Sequence, residues 1–216
     1  MMTNLFSVFD PCTGLMSLNW MSTIIFLMIM PFKFWLTPNK NIMIFKFINE
    51  MLSKEIKMIM PYKGIKLIML SMFMFILINN FLGLTPYVFT SSSHLTFSLT
   101  MALPLWLTFM MYGWMNKSKS MFTHLVPLGT PSMLTPFMVL IETVSNLIRP
   151  GSLAVRLTAN MIAGHLLMSL LGSSPSIIIM ISTMIVFIIL MLFEMAVSTI
   201  QAYVFMTLTT LYSSEI

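Results

Sequence analysis

Charge is what this 216-residue chain has least of: 8% of its residues are Asp, Glu, Lys or Arg, against about a quarter in ordinary soluble domains. Set beside 58% hydrophobic residues, that scarcity excludes a soluble globular domain and leaves a membrane protein. Cysteine is almost absent too, and the single Cys12 excludes a disulfide framework or a multi-cysteine metal site. Neither GxxxxGK(S/T) nor GxGxxG occurs, so nucleotide chemistry by the chain itself is not expected. The hydrophobic runs leave no length for a soluble catalytic domain. At the N-terminus there is neither the basic stretch of a secretory signal nor the Arg-rich amphipathic pattern of a transit peptide, so insertion from the side of synthesis is expected. The 27 Met residues are scattered through apolar runs beside Ile and Leu, with no His or Cys clustered among them, which argues against a thioether metal site.

The formal charge of +5 does not point to nucleic acid, because seven of the eleven basic residues (Lys33, Lys40, Lys46, Lys54, Lys57, Lys63 and Lys66) fall in one stretch between two apolar runs. Membrane proteins mark their inner side in this way. A first span is expected from about Leu18 to Trp35, with its polar N-terminal flank outward, Lys33 inward, and Trp20 and Trp35 at the two interfaces. Between Asn39 and Met60, apolar residues recur at helical spacing against Lys40, Lys46, Glu50, Lys54 and Lys57. That pattern fits a helix lying in the inner interface, or alternatively a buried connecting helix.

From Leu67 to Asn116 there is no formal charge, with His94 the only titratable group apart from Tyr. A crossing needs roughly 20 apolar residues, so two spans fit, about Ile65 to Leu84 and Leu95 to Met115. Gly83 and Pro86 stop the first of these, and the Ser91-Ser92-Ser93-His94 run is a polar loop suited to capping the second. Lys117 and Lys119 then return the chain to the inner side. His94 and His124, near span ends, read as interfacial side chains rather than ligands. After Pro127, Pro131 and Pro136, two long helices follow, about Pro136 to Leu171 and Ser176 to Leu211, joined by Gly172-Ser173-Ser174-Pro175. Both exceed a perpendicular span and should be strongly tilted. The fold class is therefore an all-α membrane protein, with about five membrane-embedded helices plus one amphipathic inner-interface helix. It forms a single integral membrane domain over 1–216, divided into a 1–36 segment with the first span, an interfacial helix at 39–60, two spans at 65–116 and a hairpin at 131–211.

The hairpin holds the ionisable groups that must sit at depth: Glu142, Arg149, Arg156 and His165 on its first helix and Glu194 on its second. A charge at mid-membrane costs about 2.5 to 3.5 kcal/mol on insertion scales, so these are functional candidates by default, a structural ion-pair network being the alternative. At about 100° per residue, Glu142, Asn146, Arg149, Leu153, Arg156 and Asn160 form one stripe through Pro150-Gly151, where a bend is expected. His165 lies on the opposite face from Arg156, and Glu194 shares a face with Gln201. Small neighbours of Arg156 (Ser152, Ala159, Ala163, Gly164) would let another helix approach closely, as at a docking face. A guanidinium does not deprotonate in practice, so Arg156 can attract a partner's carboxylate as an electrostatic gate but cannot relay protons. His165 and Glu194 can carry them.

At these residues the sequence resembles subunit a of the rotary ATP synthase. The resemblance is strongest in the run Leu153-Ala154-Val155-Arg156-Leu157-Thr158-Ala159-Asn160-Met161-Ile162-Ala163-Gly164-His165, an RLxxNxxxGH pattern. It extends to Asn79-Asn80-Phe81-Leu82-Gly83-Leu84-Thr85-Pro86, to the segment from Ile141-Glu142 to Arg149-Pro150, and from Glu194 through Gln201-Ala202-Tyr203-Val204-Phe205. The Met-rich composition and the pairing of His165 with Glu194 look like the mitochondrially encoded form, since bacterial relatives carry an acid and a His in swapped positions.

The resemblance implies a proton-translocating stator subunit with no cofactor and no catalysis of its own. Arg156 would face a ring of c subunits, with Asn160 and Gln201 holding its environment. An inlet would run through His165 and Glu194 and an outlet past Glu142. Implied partners are the c-ring, the peripheral stalk, other Fo membrane subunits, membrane lipids and transported protons. The implied location is the mitochondrial inner membrane, multi-pass, with the N-terminus toward the intermembrane space and the C-terminus toward the matrix. The Lys33–Lys66 stretch is free to meet anionic lipid or the stalk. Pairing Arg156 with Gln201 and His165 with Glu194 centres the hairpin near residue 179, although its apparent turn lies near 174.

Two other classes compete at this level. A secondary proton or sodium antiporter would show broken helices repeated in two halves, and no internal repeat is found. A purely structural membrane subunit would use the charges as staples between helices. Proton flux with and without Arg156 separates these readings.

Overall fold

The structure, a computed structural model, describes residues 5–12, 17–31, 37–61, 63–126, 129, 131, 133–173 and 177–215, with backbone alone at 63 and 177–181. All regular elements among them are helical. A 3₁₀ turn at Leu5–Phe9 precedes a short apolar helix that begins as 3₁₀ at Leu18–Ile24 and continues as α1, Ile25–Ile29. Then come α2 (Lys40–Ile59), α3 (Lys63–Leu84), a 3₁₀ turn at Ser91–Ser93, α4 (Leu95–Asn116), α5 (Ser118–His124), α6 (Thr135–Gly172) and α7 (Ile177–Ser214).

Four of these helices contain stretches long and apolar enough to cross a membrane, namely Gly64–Leu84, Leu95–Asn116, Thr135–Gly172 and Ser182–Ser214, and Leu18–Ile29 is a shorter apolar helix. The inner end expected for the first span, with Lys33 and Trp35, lies outside the described residues, as does Pro127. Helices α6 and α7 are each 38 residues long. That corresponds to about 57 Å of helix at about 1.5 Å per residue, nearly twice the roughly 30 Å hydrocarbon thickness. Either helix set perpendicular to the bilayer would leave much of its length in the headgroups or in water.

Asn39 starts α2, its side chain accepting from the Lys40 N–H at 2.8 Å, as expected of an Asn at a helix start. Within this helix only Leu52 and Ile56 are buried against the rest of the chain, while the lysines are exposed. Pro136 stands in the first turn of α6, where its missing N–H costs nothing. Pro150 and Gly151 are accommodated inside one continuous helix. The Ser-rich run does not cap α4. His94 occupies the cap position without a side-chain hydrogen bond, and Ser91–Ser93 form a buried turn of their own, held by Ser93 Oγ donating to the Thr90 carbonyl at 2.7 Å.

The core lies where α3 packs on α7 and α4 on α6. Met69, Phe73 and Ile76 of α3 meet Leu153, Ala154 and Leu157 of α6 and Ala202, Phe205 and Met206 of α7 in one buried cluster. The outward face of α7 shows Ile188, Ile189, Leu192 and Phe193 more than half exposed, a surface suited to lipid or to another helix rather than water.

Candidate functional site

Three features lie along α6. Toward its C-terminal end, Gly164 packs directly against Glu194 of α7, whose side chain is buried. The neighbouring His165 is half-buried, meets the backbone of Gly83 and makes an edge-on contact with the Phe9 ring at 6.1 Å. No ion pair joins His165 to Glu194 among the described residues.

Around this point a polar lining gathers that sequence reasoning missed. Asn80 is buried one turn before Gly83, and Gly83 approaches both Thr90 and Met161. Among the described residues six buried side-chain atoms lack a hydrogen-bond partner, and five of them belong here: Asn80 Nδ2 and Oδ1, Ser92 Oγ, His94 Nε2 and His165 Nε2. The His94 ring is boxed by Trp20 and Phe89, each 5.2 Å away between centroids. The sequence did offer a signal, since the five consecutive polar residues Thr90 to His94 after an Asn-Asn pair are unusual in so apolar a chain.

At the other end of α6, about 24 Å away by helix rise, Arg149 is held on three sides. Glu142 lies 3.7 Å from it, Glu215 hydrogen-bonds its guanidinium, and the Tyr212 ring sits below at 5.1 Å. A cavity of about 570 Å³ opens between α4, α5, α6 and α7 here, with Trp106, His124, Glu142, Asn146 and Arg149 among its lining. Glu215 and Tyr212 were also missed, because only the relative register of α6 and α7 brings the C-terminus back to Arg149.

Arg156 lies between the two clusters and belongs to neither. It is exposed, as are Ser152, Ala159 and Ala163, whereas Leu153, Ala154, Leu157 and Thr158 on the other side of the helix are buried. Among the described residues it forms no ion pair. The stripe expected to run from Glu142 to Asn160 therefore divides: Glu142, Asn146, Arg149 and Leu153 turn toward the cavity and Arg156 turns away. The cause is tertiary: Arg149, only about 20° away on the helical wheel, faces the cavity formed with α4, α5 and α7, and that cavity does not extend to residue 156. Asn160 and Gln201 are both half-buried, and no hydrogen bond links either to Arg156 among the described residues. Glu194 and Gln201 do share a face, with Ser198 buried between them.

The contact of Gly164 with Glu194 has its midpoint at residue 179, whereas α6 ends at Gly172 and α7 begins at Ile177. The two helices thus pack with an offset; the turn residues 174–176 lie outside the described residues.

A family model described as ATP synthase A chain matches residues 14–214. Similar proteins include an ATP synthase subunit a of Aedes albopictus, 58% identical over 225 aligned positions that cover the whole of both chains. Others are those of Locusta migratoria and Drosophila simulans, at 53% and 54% identity, again over the whole of both chains. The chain belongs to the ATP synthase subunit a family, whose members serve proton transport in ATP synthesis as multi-pass membrane proteins.

Proposed function

We propose that this chain is the proton-translocating stator subunit of the mitochondrial F1Fo ATP synthase, and that Arg156 is the residue that meets the carboxylates of a rotating c-ring. The observation that carries this reading is the exposure of Arg156 among small residues on the outer face of a membrane-length helix, with no acid paired to it among the described residues. A lone guanidinium in hydrocarbon is expensive, so a partner from another chain must supply the counter-charge. The small side chains at 152, 159 and 163 allow that partner's backbone to come close.

Protons then need two separated wet routes. The inlet runs past Asn80, Ser92 and His94 to His165 and Glu194. Its support is the set of buried polar atoms without protein partners, which are the kind of groups that bind water inside proteins. The outlet is the cavity beside Glu142, Arg149 and Glu215. Asn160 and Gln201, half-buried near the middle, hold the space around the arginine. Because the two routes reach Arg156 from opposite ends of α6, a proton cannot pass straight through. It must ride on a rotor carboxylate, while the permanently charged arginine bars that carboxylate from crossing still protonated. Each proton moving through 100 mV releases about 2.3 kcal/mol for rotation.

The end bearing Phe9, His165 and the Ser-rich turn faces the intermembrane space in this reading, and the end bearing Lys117, Arg149 and Glu215 faces the matrix. The chain contributes no bond-making chemistry of its own. Its neighbours are the c-ring, the peripheral stalk and the other Fo membrane subunits. The test is Arg156→Ala in the assembled complex, reconstituted in vesicles and driven by a proton gradient. Proton-coupled ATP synthesis should fall to background with the complex intact, and ordinary coupled synthesis by the variant would refute the assignment.

A further inference from the structure

We propose that a groove between the lysine-bearing helix α2, the end of the first apolar helix and the start of α3 binds one anionic glycerophospholipid, with its headgroup at the lysines and an acyl chain running along α3. Two adjoining cavities, of about 570 and 450 Å³, share Met30, Asn49, Lys66, Leu70 and Met74 in their walls. Their chemistry is graded. Lys66 stands at the start of α3, Leu70 lies one turn further along and Met74 another, so the lining passes from cationic to apolar over about 12 Å of helix rise. That is the length scale of a phosphate group leading into a hydrocarbon chain, and it runs along the axis of a helix long and apolar enough to cross the membrane.

The charge balance sets the sign of the ligand. Among the described residues, Lys57 and Lys66 line the first cavity without a carboxylate, and in the second Lys46 already faces Glu50 at 3.7 Å. Three ammonium groups against one carboxylate leave an excess that a phosphodiester matches, and basic pockets beside membrane helices hold anionic headgroups in this way. The other acid of α2 near this region, Glu55, is engaged by the Tyr203 hydroxyl, which donates to it at 3.1 Å. The buried Oδ1 of Asn49 has no donor among the described residues, and it belongs to the wall that both cavities share. A headgroup hydroxyl supplies one, which singles out a glycerol-bearing headgroup over a choline. Nothing here depends on Arg156 or on the direction of proton flow.

The experiment photolabels the purified intact complex with phosphatidylglycerol carrying a diazirine in its acyl chain, and maps the label by peptide mass spectrometry. Saturable labelling is expected in the peptides containing Met30 and Leu70 to Met74. An excess of unlabelled phosphatidylglycerol should displace it at least tenfold better than phosphatidylcholine, and inorganic phosphate should not displace it. The double variant Lys57→Gln with Lys66→Gln should lose most of the label, and Lys66→Arg should keep it. Equal displacement by phosphatidylcholine, displacement by inorganic phosphate, or label confined to other helices overturns the proposal. Should the double variant fail to assemble, the displacement order in the unmodified complex still decides.

Discussion

The carboxylate of Glu194 occupies the space that a side chain on Gly164 would take: a Cβ built at residue 164 would collide with Glu194 Oε2. The backbone of α6 thus forms the floor on which the acid of α7 rests, and the absence of a side chain sets the acid's position. Because the obstructed atoms are the far end of a flexible side chain, Gly164→Ala should leave the fold and the assembly intact while pushing the carboxylate out of its place on α6. A tenfold loss of rate corresponds to about 1.4 kcal/mol. Proton flux through reconstituted complexes should fall on that order in Gly164→Ala and at least as far in Glu194→Gln. Flux at the unmodified level in both would remove this pair from the inlet.

That relationship also shows how far the sequence could be read. Long apolar runs and the placement of lysines announce helices α3, α4, α6 and α7, since length and hydropathy are one-dimensional properties. The run from Arg156 to His165, which carries the strongest family resemblance, is likewise legible along a single helix. Register between helices is not one-dimensional. The packing of Gly164 on Glu194 and the closure of Glu215 on Arg149 arise from the offset of two long helices, and neither can be counted from one helix alone. Periodicity likewise grouped Arg156 with Arg149 on one stripe, and only tertiary packing separates an arginine enclosed by acids from one left facing outward. The Ser91–Ser93 turn was read as a cap by composition, but its backbone folds on itself and buries the hydroxyls.

Charge alone should not suffice at residue 156. A lysine there would keep the positive sign, yet its ammonium sheds a proton more readily when desolvated and lacks the planar fork that meets both carboxylate oxygens. Arg156→Lys is therefore expected to assemble normally, as judged by native gel electrophoresis, and to lose most gradient-driven ATP synthesis. Synthesis near the unmodified rate would reduce the role of the residue to that of a generic positive charge.

The Arg149 cluster is partly solvent-exposed, with side-chain exposures of 27% for Arg149, 36% for Glu142 and 55% for Glu215, so screening keeps its energy modest. A double-mutant cycle using Arg149→Gln and Glu215→Gln should give a coupling of about 1 kcal/mol or less, read from thermal dissociation of the complex. Arg149→Gln should be the more damaging single change, since it leaves two carboxylates facing each other across the cavity and removes the cation from the Tyr212 ring. Tyr212→Phe should be nearly silent, because the ring face remains. A larger loss from Glu215→Gln than from Arg149→Gln would contradict this ordering.

Cys12 supplies a test of orientation. It is exposed, and Phe9 three residues before it packs on His165, so its thiol reports the side from which the proposed inlet would open. A membrane-impermeant maleimide should modify it from the intermembrane side of mitochondria stripped of their outer membrane, but not from outside inverted inner-membrane vesicles. The rate carries a pH signature. Asp10 accepts a hydrogen bond from the Cys12 backbone N–H at 3.1 Å, and hydrogen bonding and repulsion from its carboxylate push the thiol above its ordinary range. Since the thiolate is the nucleophile, the raised value means less reactive thiolate at any pH below it. Asp10→Asn should therefore speed alkylation near neutral pH, and the two rates should converge in alkali once both thiols are ionised. Labelling solely from the matrix side would invert the topology and, with it, exchange the inlet and outlet.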